Sequence, residues 1–223
     1  TRARHAADAG YEMFLARYAD PELRQAPVTL TMRLGEAAVS VSVMAETGKI
    51  DLNTGAPILL AGLLRGTGMG ERAAAEAARR IAEYRNPEAG RVFRAPEEAI
   101  PIAGLDPLSF DRLRPFLTVY GGHSGIDPVS APREVLRAVP GMTDALAEAV
   151  AAARVAGAPP PRTALDLLAP LRTQPRPVFT VRSVARLENG ARFVRVAIVD
   201  LQDPRSPVLL AWRRELPRPP GFG

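Results

Sequence analysis

Two histidines, His5 and His123, and no cysteine make up the chain's stock of nitrogen and sulfur ligands and soft nucleophiles. They sit in different segments, so the residues do not indicate a zinc site, which gathers such ligands at fixed spacing, or a Ser-His pair. Gly122-His123-Ser124-Gly125-Ile126 has the outline of a nucleophile elbow, but Ile126 stands where the closing glycine belongs and no clear strand precedes it. It reads as a loop. Gly66-Thr67-Gly68-Met69-Gly70 follows a helical pattern and lacks the Gly-Lys-Ser/Thr ending of a phosphate loop, so it reads as a turn between helices. Asp106, Asp111, Asp127 and Asp144 are oxygen donors of the kind a hard cation takes, yet none follows the spacing of a calcium-binding helix-loop-helix. Asp106-Pro107 and Asp127-Pro128 read more simply as helix-start and turn pairs. No catalytic set emerges, and the chain is expected not to be an enzyme.

The elements that would hold any site are those of a globular chain of 223 residues, 47% apolar, 24% charged and 5% aromatic. That balance excludes a disordered polyelectrolyte and an aromatic-lined binder of sugars or single strands. No apolar run reaches the roughly 18 residues that cross a bilayer. Charge is uneven along the chain. Residues 1–48 carry 5 basic and 6 acidic side chains, residues 49–175 carry 15 and 14, and residues 176–223 carry 9 and 4, which accounts for the whole net charge of +5. A nucleic-acid binder would concentrate that charge on its recognition element.

Ala7, Tyr11, Phe14 and Tyr18 fall at helical spacing and predict one amphipathic helix from Arg2 to about Tyr18. It begins with no initiator Met and no N-cap, as expected of a chain cut within a longer helix. Val28, Leu30, Met32 and Leu34 alternate with polar residues, and after Gly35-Glu36 so do Val39, Val41 and Val43. This predicts a β-hairpin with one buried face. The pattern returns at Phe179–Leu187, Phe193–Leu201 and Val208–Trp212, with Glu188-Asn189-Gly190 as a hairpin turn. Between the strand groups lies a long helical pattern rich in Ala and Leu. The simplest plan is α+β: one antiparallel sheet from both chain ends packed on the first helix (residues 1–48 and 176–223), with an all-helical insertion (residues 49–175).

The insertion repeats itself. Lys49-Ile50-Asp51-Leu52-Asn53-Thr54-Gly55-Ala56-Pro57 is echoed by Gly125-Ile126-Asp127-Pro128-Val129-Ser130-Ala131-Pro132. An apolar helix, a Gly-Met turn (Gly68-Met69; Gly141-Met142) and an Ala-rich helix follow each copy. A more degenerate copy runs from Pro96 through Gly104 to Phe116, and Thr163 to Leu168 looks like the start of a fourth. Repeats of this kind mean stacked helical pairs sharing one core. Thr54, Ser130 and Thr163 are expected N-caps, and Gly104 and Gly141 expected turn positions. The pattern is similar to the helix-hairpin-helix module, though Pro140-Gly141-Met142-Thr143 has Thr in place of the second glycine. At +1 over the insertion, packing is the expected role of these hairpins rather than phosphate binding.

In the order of its parts the chain resembles the minor pseudopilin K family of the bacterial type II secretion system, the general secretion pathway protein K. Glu46-Thr47-Gly48-Lys49-Ile50-Asp51-Leu52-Asn53-Thr54 is similar to the family's Gly-(Lys/Arg)-(Ile/Phe)-(Asp/Asn)-Leu-Asn segment. Leu113-Arg114-Pro115-Phe116-Leu117-Thr118-Val119-Tyr120 is similar to its Leu-Arg-Pro-Tyr-(Leu/Val)-Thr-Val-Tyr, and the likeness extends to the strand ending Leu210-Ala211-Trp212-Arg213-Arg214-Glu215. The resemblance implies a pilin-like helix and sheet bearing the helical insertion, and a structural, non-enzymatic role at the tip of the pseudopilus, where the bulky insertion obstructs addition of a further subunit. It implies minor pseudopilins I and J as partners, along with other pseudopilins, and no nucleic acid. It places Thr1 in the soluble half of a helix whose other half anchors the protein in the inner membrane, with the present residues in the periplasm. Some members bind calcium, and the resemblance assigns no ligands for it here.

From the residues, Ala7, Tyr11, Phe14 and Tyr18 are more than one small sheet is expected to cover, so that stripe is the expected partner-binding face. Ile50, Asp51, Asn53, Thr54 and Gly141 are the expected structural motif. The competing class is a DNA-binding protein of the competence type, which also sets an Ile-Asn-Leu-Asn-Thr-Ala stretch before a helix-hairpin-helix. The flanking strands argue against it.

Overall fold

The computed structural model describes residues 1–17, 28–174, 176–203 and 205–215. Two compact units emerge, Thr1–Ala45 with Arg176–Gly223, and Glu46–Pro175.

In the first unit, helix α1 (Arg2–Arg17) packs on five antiparallel strands: β1 (Val28–Leu34), β2 (Ala37–Ala45), β5 (Val178–Leu187), β6 (Arg192–Asp200) and β7 (Val208–Arg214). Their order, β1-β2-β5-β6-β7, joins strands from both ends of the sequence in one sheet. The α+β class expected from the alternating segments is therefore the observed one. The two hairpins turn where glycine permits a left-handed backbone, at Gly35 and Gly190. In the second of them Asn189 Oδ1 also accepts from the Ala191 amide at 3.0 Å.

Alternation decides what the sheet buries: Val39, Val41, Val43, Val181, Ala185, Ala197 and Val199 meet Ala7, Tyr11 and Phe14 in one cluster. Full burial of a side chain such as Phe14 stabilises by about 1.5–3 kcal/mol. α1 can approach this closely because residue 10 is glycine: a Cβ there would lie 2.5 Å from Ser183 Oγ and 2.8 Å from a Val39 methyl. Arg195 of β6 fixes the helix laterally, its Nε donating to Asp8 Oδ1 at 2.7 Å.

The second unit carries the remaining elements: β3 (Ile50–Asp51), α2 (Pro57–Arg65), α3 (Glu71–Tyr84), α4 (Ala99–Ala103), α5 (Pro107–Leu113), β4 (Leu117–Thr118), α6 (Arg133–Arg137), α7 (Asp144–Val155) and α8 (Arg162–Leu168). β3 and β4 form a short parallel ladder, Ile50 opposite Leu117. A single apolar cluster including Leu52, Leu59, Leu113, Ile126, Leu136 and Leu168 is its core.

Helix starts depart from expectation in an instructive way. Thr54, Ser130 and Thr163 cap nothing: α2 starts after Ala56, α6 after Pro132 and α8 after Pro161, so Thr163 is already inside its helix. In α2 Pro57 takes the first helical position, where its fixed φ suits a helix start and its missing N–H removes a donor that would need a cap, whereas α6 and α8 have proline in the cap position itself, which offers no side-chain acceptor. The hydroxyls serve elsewhere, Thr54 Oγ1 donating to His123 O and Ser130 Oγ to Asp127 Oδ2, both at 2.7 Å. True side-chain caps are Asp106 for α5 and Thr143 for α7, accepting from the amides of Ser109 and Leu146.

Candidate functional site

The Ile50–Thr54 motif lies in the interior of the helical unit. Asp51 is fully buried and its carboxylate accepts three backbone N–H groups: Asn53 at 2.7 Å and Thr54 at 3.1 Å on Oδ1, and Gly122 at 2.8 Å on Oδ2. The Asn53 side chain pairs with the Phe93 backbone in both senses, Nδ2 donating to its carbonyl at 2.9 Å and Oδ1 accepting from its amide at 2.7 Å. Together with Thr54 on His123, these bonds tie two distant segments, at Phe93 and at Gly122-His123, to one five-residue segment.

The echoed copy uses the same device. Asp127 accepts from the Val129 amide at 3.1 Å and from Ser130 Oγ. In each copy the carbonyl just after the aspartate takes an arginine from the region of the following long helix: Arg85 Nη1 donates to Leu52 O at 3.2 Å, and Arg154 Nη2 to Pro128 O at 2.9 Å and Ala131 O at 2.7 Å. Burial pushes both guanidinium pKa values down, and Asp51 and Asp127 respectively oppose that shift. Arg80 acts alike on α4, donating to the carbonyls of Ile102 and Ala103 at its end. Residue patterning pointed to the aspartates. It missed the arginines, which nothing in sequence separates from the many others.

Next to the first motif, Glu46 holds a buried ion pair with Lys49, the chain's only lysine, and accepts from the Thr118 hydroxyl. His123 is buried with Nδ1 2.8 Å from Gly125 O and Nε2 3.2 Å from Glu46 O. These groups point at one another and at backbone, an arrangement that fixes loops. Asp106, Asp111, Asp127 and Asp144 do not converge: among the described residues no three His, Asp or Glu side chains gather as for a metal ion.

Gly141 has φ +79° in the turn between α6 and α7, as Gly104 has φ +67° between α4 and α5. Turns at Gly66-Thr67 and Gly141-Met142 border a cavity of about 630 Å3 over a floor that includes Leu63 and Leu113. Its charged rim is mixed. Arg137 is held by Asp144 through two contacts of 2.6 and 2.7 Å, and Glu134 lines the same space. A phosphate would meet carboxylates there as well as guanidinium groups.

In α1 the structure corrects the premise of the expected partner face. Ala7, Tyr11 and Phe14 are all buried within their own unit, because α1 packs across β2, β5 and β6 together. Tyr18 lies outside the described residues. Tyr11 sits edge-on to Trp212, ring centroids 5.0 Å apart, and burial, with Glu12 adding to it, raises its pKa. Among the described residues no helix is long and apolar enough to cross a membrane.

A solved structure has this architecture throughout. The chain has the fold of a chain from the GspK-GspI-GspJ complex of the type II secretion system of enterotoxigenic Escherichia coli. The match has a TM-score of 0.61 and 14% identity, and it covers 96% of this chain and 100% of the other. At that identity the likeness is one of fold, and it agrees with the resemblance read from the residues. No family model and no curated protein matches the sequence.

Proposed function

We propose that this chain is a minor pseudopilin of the K type, a non-enzymatic component of a type II secretion pseudopilus. One observation carries the reading: a sheet assembled from both ends of the sequence and interrupted between β2 and β5 by a helical unit, with the match to the secretion-complex chain running through both parts. In this reading the sheet unit is the pilin-like domain and residues 49–175 are the inserted domain. Its helix-hairpin-helix-like repeats serve as packing units, held by Asp51 and Asp127 and their arginine clamps. The helical unit obstructs addition of another subunit above the tip, the partners are minor pseudopilins I and J, and the soluble part stands in the periplasm of a single-pass inner-membrane protein.

Deleting the gene in its bacterium is expected to stop export of type II substrates, which then accumulate in the periplasm. The purified chain is expected to co-elute with soluble domains of the I and J pseudopilins from the same bacterium. Normal export in the deletion strain, together with separate elution, overturns the reading. The helical unit should bind duplex DNA no more tightly than an acidic control protein in low-salt filter binding. Tight, steeply salt-dependent retention would favour the competence-type alternative.

A further inference from the structure

The two edges of the sheet are built differently. β1 turns Thr29, Thr31 and Arg33 outward, and Arg33 is ion-paired with Glu188 at 3.2 Å. Polar and charged positions of this kind guard an edge against pairing. β7 carries no polar or charged side chain over its first five residues: Val208 is 54% exposed, Leu209 49%, Leu210 39% and Trp212 39%. A register shift contributes to this. Leu209 faces Val199 and Ala211 faces Ile198, so Leu210 is the extra residue of a bulge. The strand loses its simple alternation there and shows apolar groups on both faces.

The strand then ends in exposed Arg213 and Arg214, and Arg205 stands just before it. Among the described residues no carboxylate is paired with any of the three. Nearby Asp8 and Glu215 are engaged by Arg195 and Arg182. Edge backbone with no strand paired to it among the described residues, clustered apolar side chains and cations with no carboxylate partner there suit an extended segment that adds a strand and brings carboxylates to the arginine end. A second copy of this chain fits poorly, since it would bring another +5 from residues 176–223 to the same edge.

We propose that β7 is the docking edge for an extended strand of a partner pseudopilin, apolar where it faces Val208–Trp212 and acidic where it faces Arg213 and Arg214. This rests on the reading of the chain as a minor pseudopilin. The test is hydrogen exchange on the chain alone and mixed with the purified soluble I and J domains, alongside binding by Leu209→Lys/Leu210→Lys and Arg213→Glu/Arg214→Glu variants whose near-ultraviolet circular dichroism matches the parent. Amides of β7 should exchange at least tenfold more slowly in the complex. Both variants should bind at least tenfold more weakly, and the arginine variant should lose the salt dependence. A complex with unchanged β7 exchange and full binding by both variants overturns the docking edge and leaves the pseudopilin reading standing. Failure of the parent chain to bind either domain overturns both. Self-association of the chain alone with β7 protected assigns the edge to a second copy and overturns the inference.

Discussion

Asp51 has no exposed surface and satisfies three backbone amides at once. Replacing it with Ala removes all three bonds, and at about 1–1.5 kcal/mol net for each the expected loss is about 3–4.5 kcal/mol, read as a lower urea midpoint by circular dichroism. Lys49 and Glu46 form the complementary case of buried charge. Lys49→Met should cost about 3–5 kcal/mol by taking the lysine cation away from a buried carboxylate, whereas the double change Glu46→Leu/Lys49→Met should cost less than the single one. Asp106 sets a pH dependence. Hydrogen bonds from Ser109 hold its carboxyl below the ordinary carboxylate value, so its folded pKa is lower than its unfolded one. The cap therefore contributes fully above the ordinary carboxylate range and loses its contribution as pH falls through the lowered value. The difference in melting temperature between the parent and Asp106→Ala should be largest near neutral pH and shrink in acid. The repeat made Asp51 and Asp127 legible in the sequence. Arg85 and Arg154 stayed hidden because their partners are carbonyl groups, which leave no mark in side-chain patterning.

Among the elements, the strands at the two chain ends were read most faithfully, whereas the insertion expected to be all-helical holds the two-residue strands β3 and β4, too short to leave an alternation in the sequence. Period-two alternation with Gly35 and Gly190 at the turns has one physical meaning when one face is buried. Helix starts were read less well, because α2 opens on Pro57 and α6 and α8 have Pro132 and Pro161 as their cap residues, not the expected hydroxyls. The stripe on α1 was found, but how far the expected sheet would cover it was underestimated: β2, β5 and β6 all pack on the helix and bury Ala7, Tyr11 and Phe14. α2 and α6 meet through Gly62, where a Cβ would lie 2.1 Å from the Ala138 carbonyl oxygen. Backbone cannot yield as a side-chain tip can. Gly62→Ala should destabilise by about 1–3 kcal/mol despite the higher helix propensity of alanine, measurable by chemical denaturation.

At the scale of the molecule, each unit has its own apolar cluster, and every residue of the larger one falls within residues 46–175. That segment produced alone should unfold cooperatively with an α-helical spectrum; a non-cooperative melt would count against a self-sufficient core. The division between strands at the ends and helices in the middle was visible in the sequence. The border at Ala45 and Glu46 was set by a contact that patterning does not reveal, the Glu46 carboxylate reaching Lys49 and Thr118 inside the helical unit. The strands on either side of the inserted segment, β2 and β5, are immediate neighbours, with Ala45 directly across from Phe179. To the sheet, everything from 46 to 175 is thus one oversized hairpin loop, and the entropy of closing a loop grows only slowly with its length. A tight turn spliced from Ala45 to Phe179 would leave every rung of the ladder in place, so the cargo borne at this junction could be exchanged or shed without rewriting the strands that carry it.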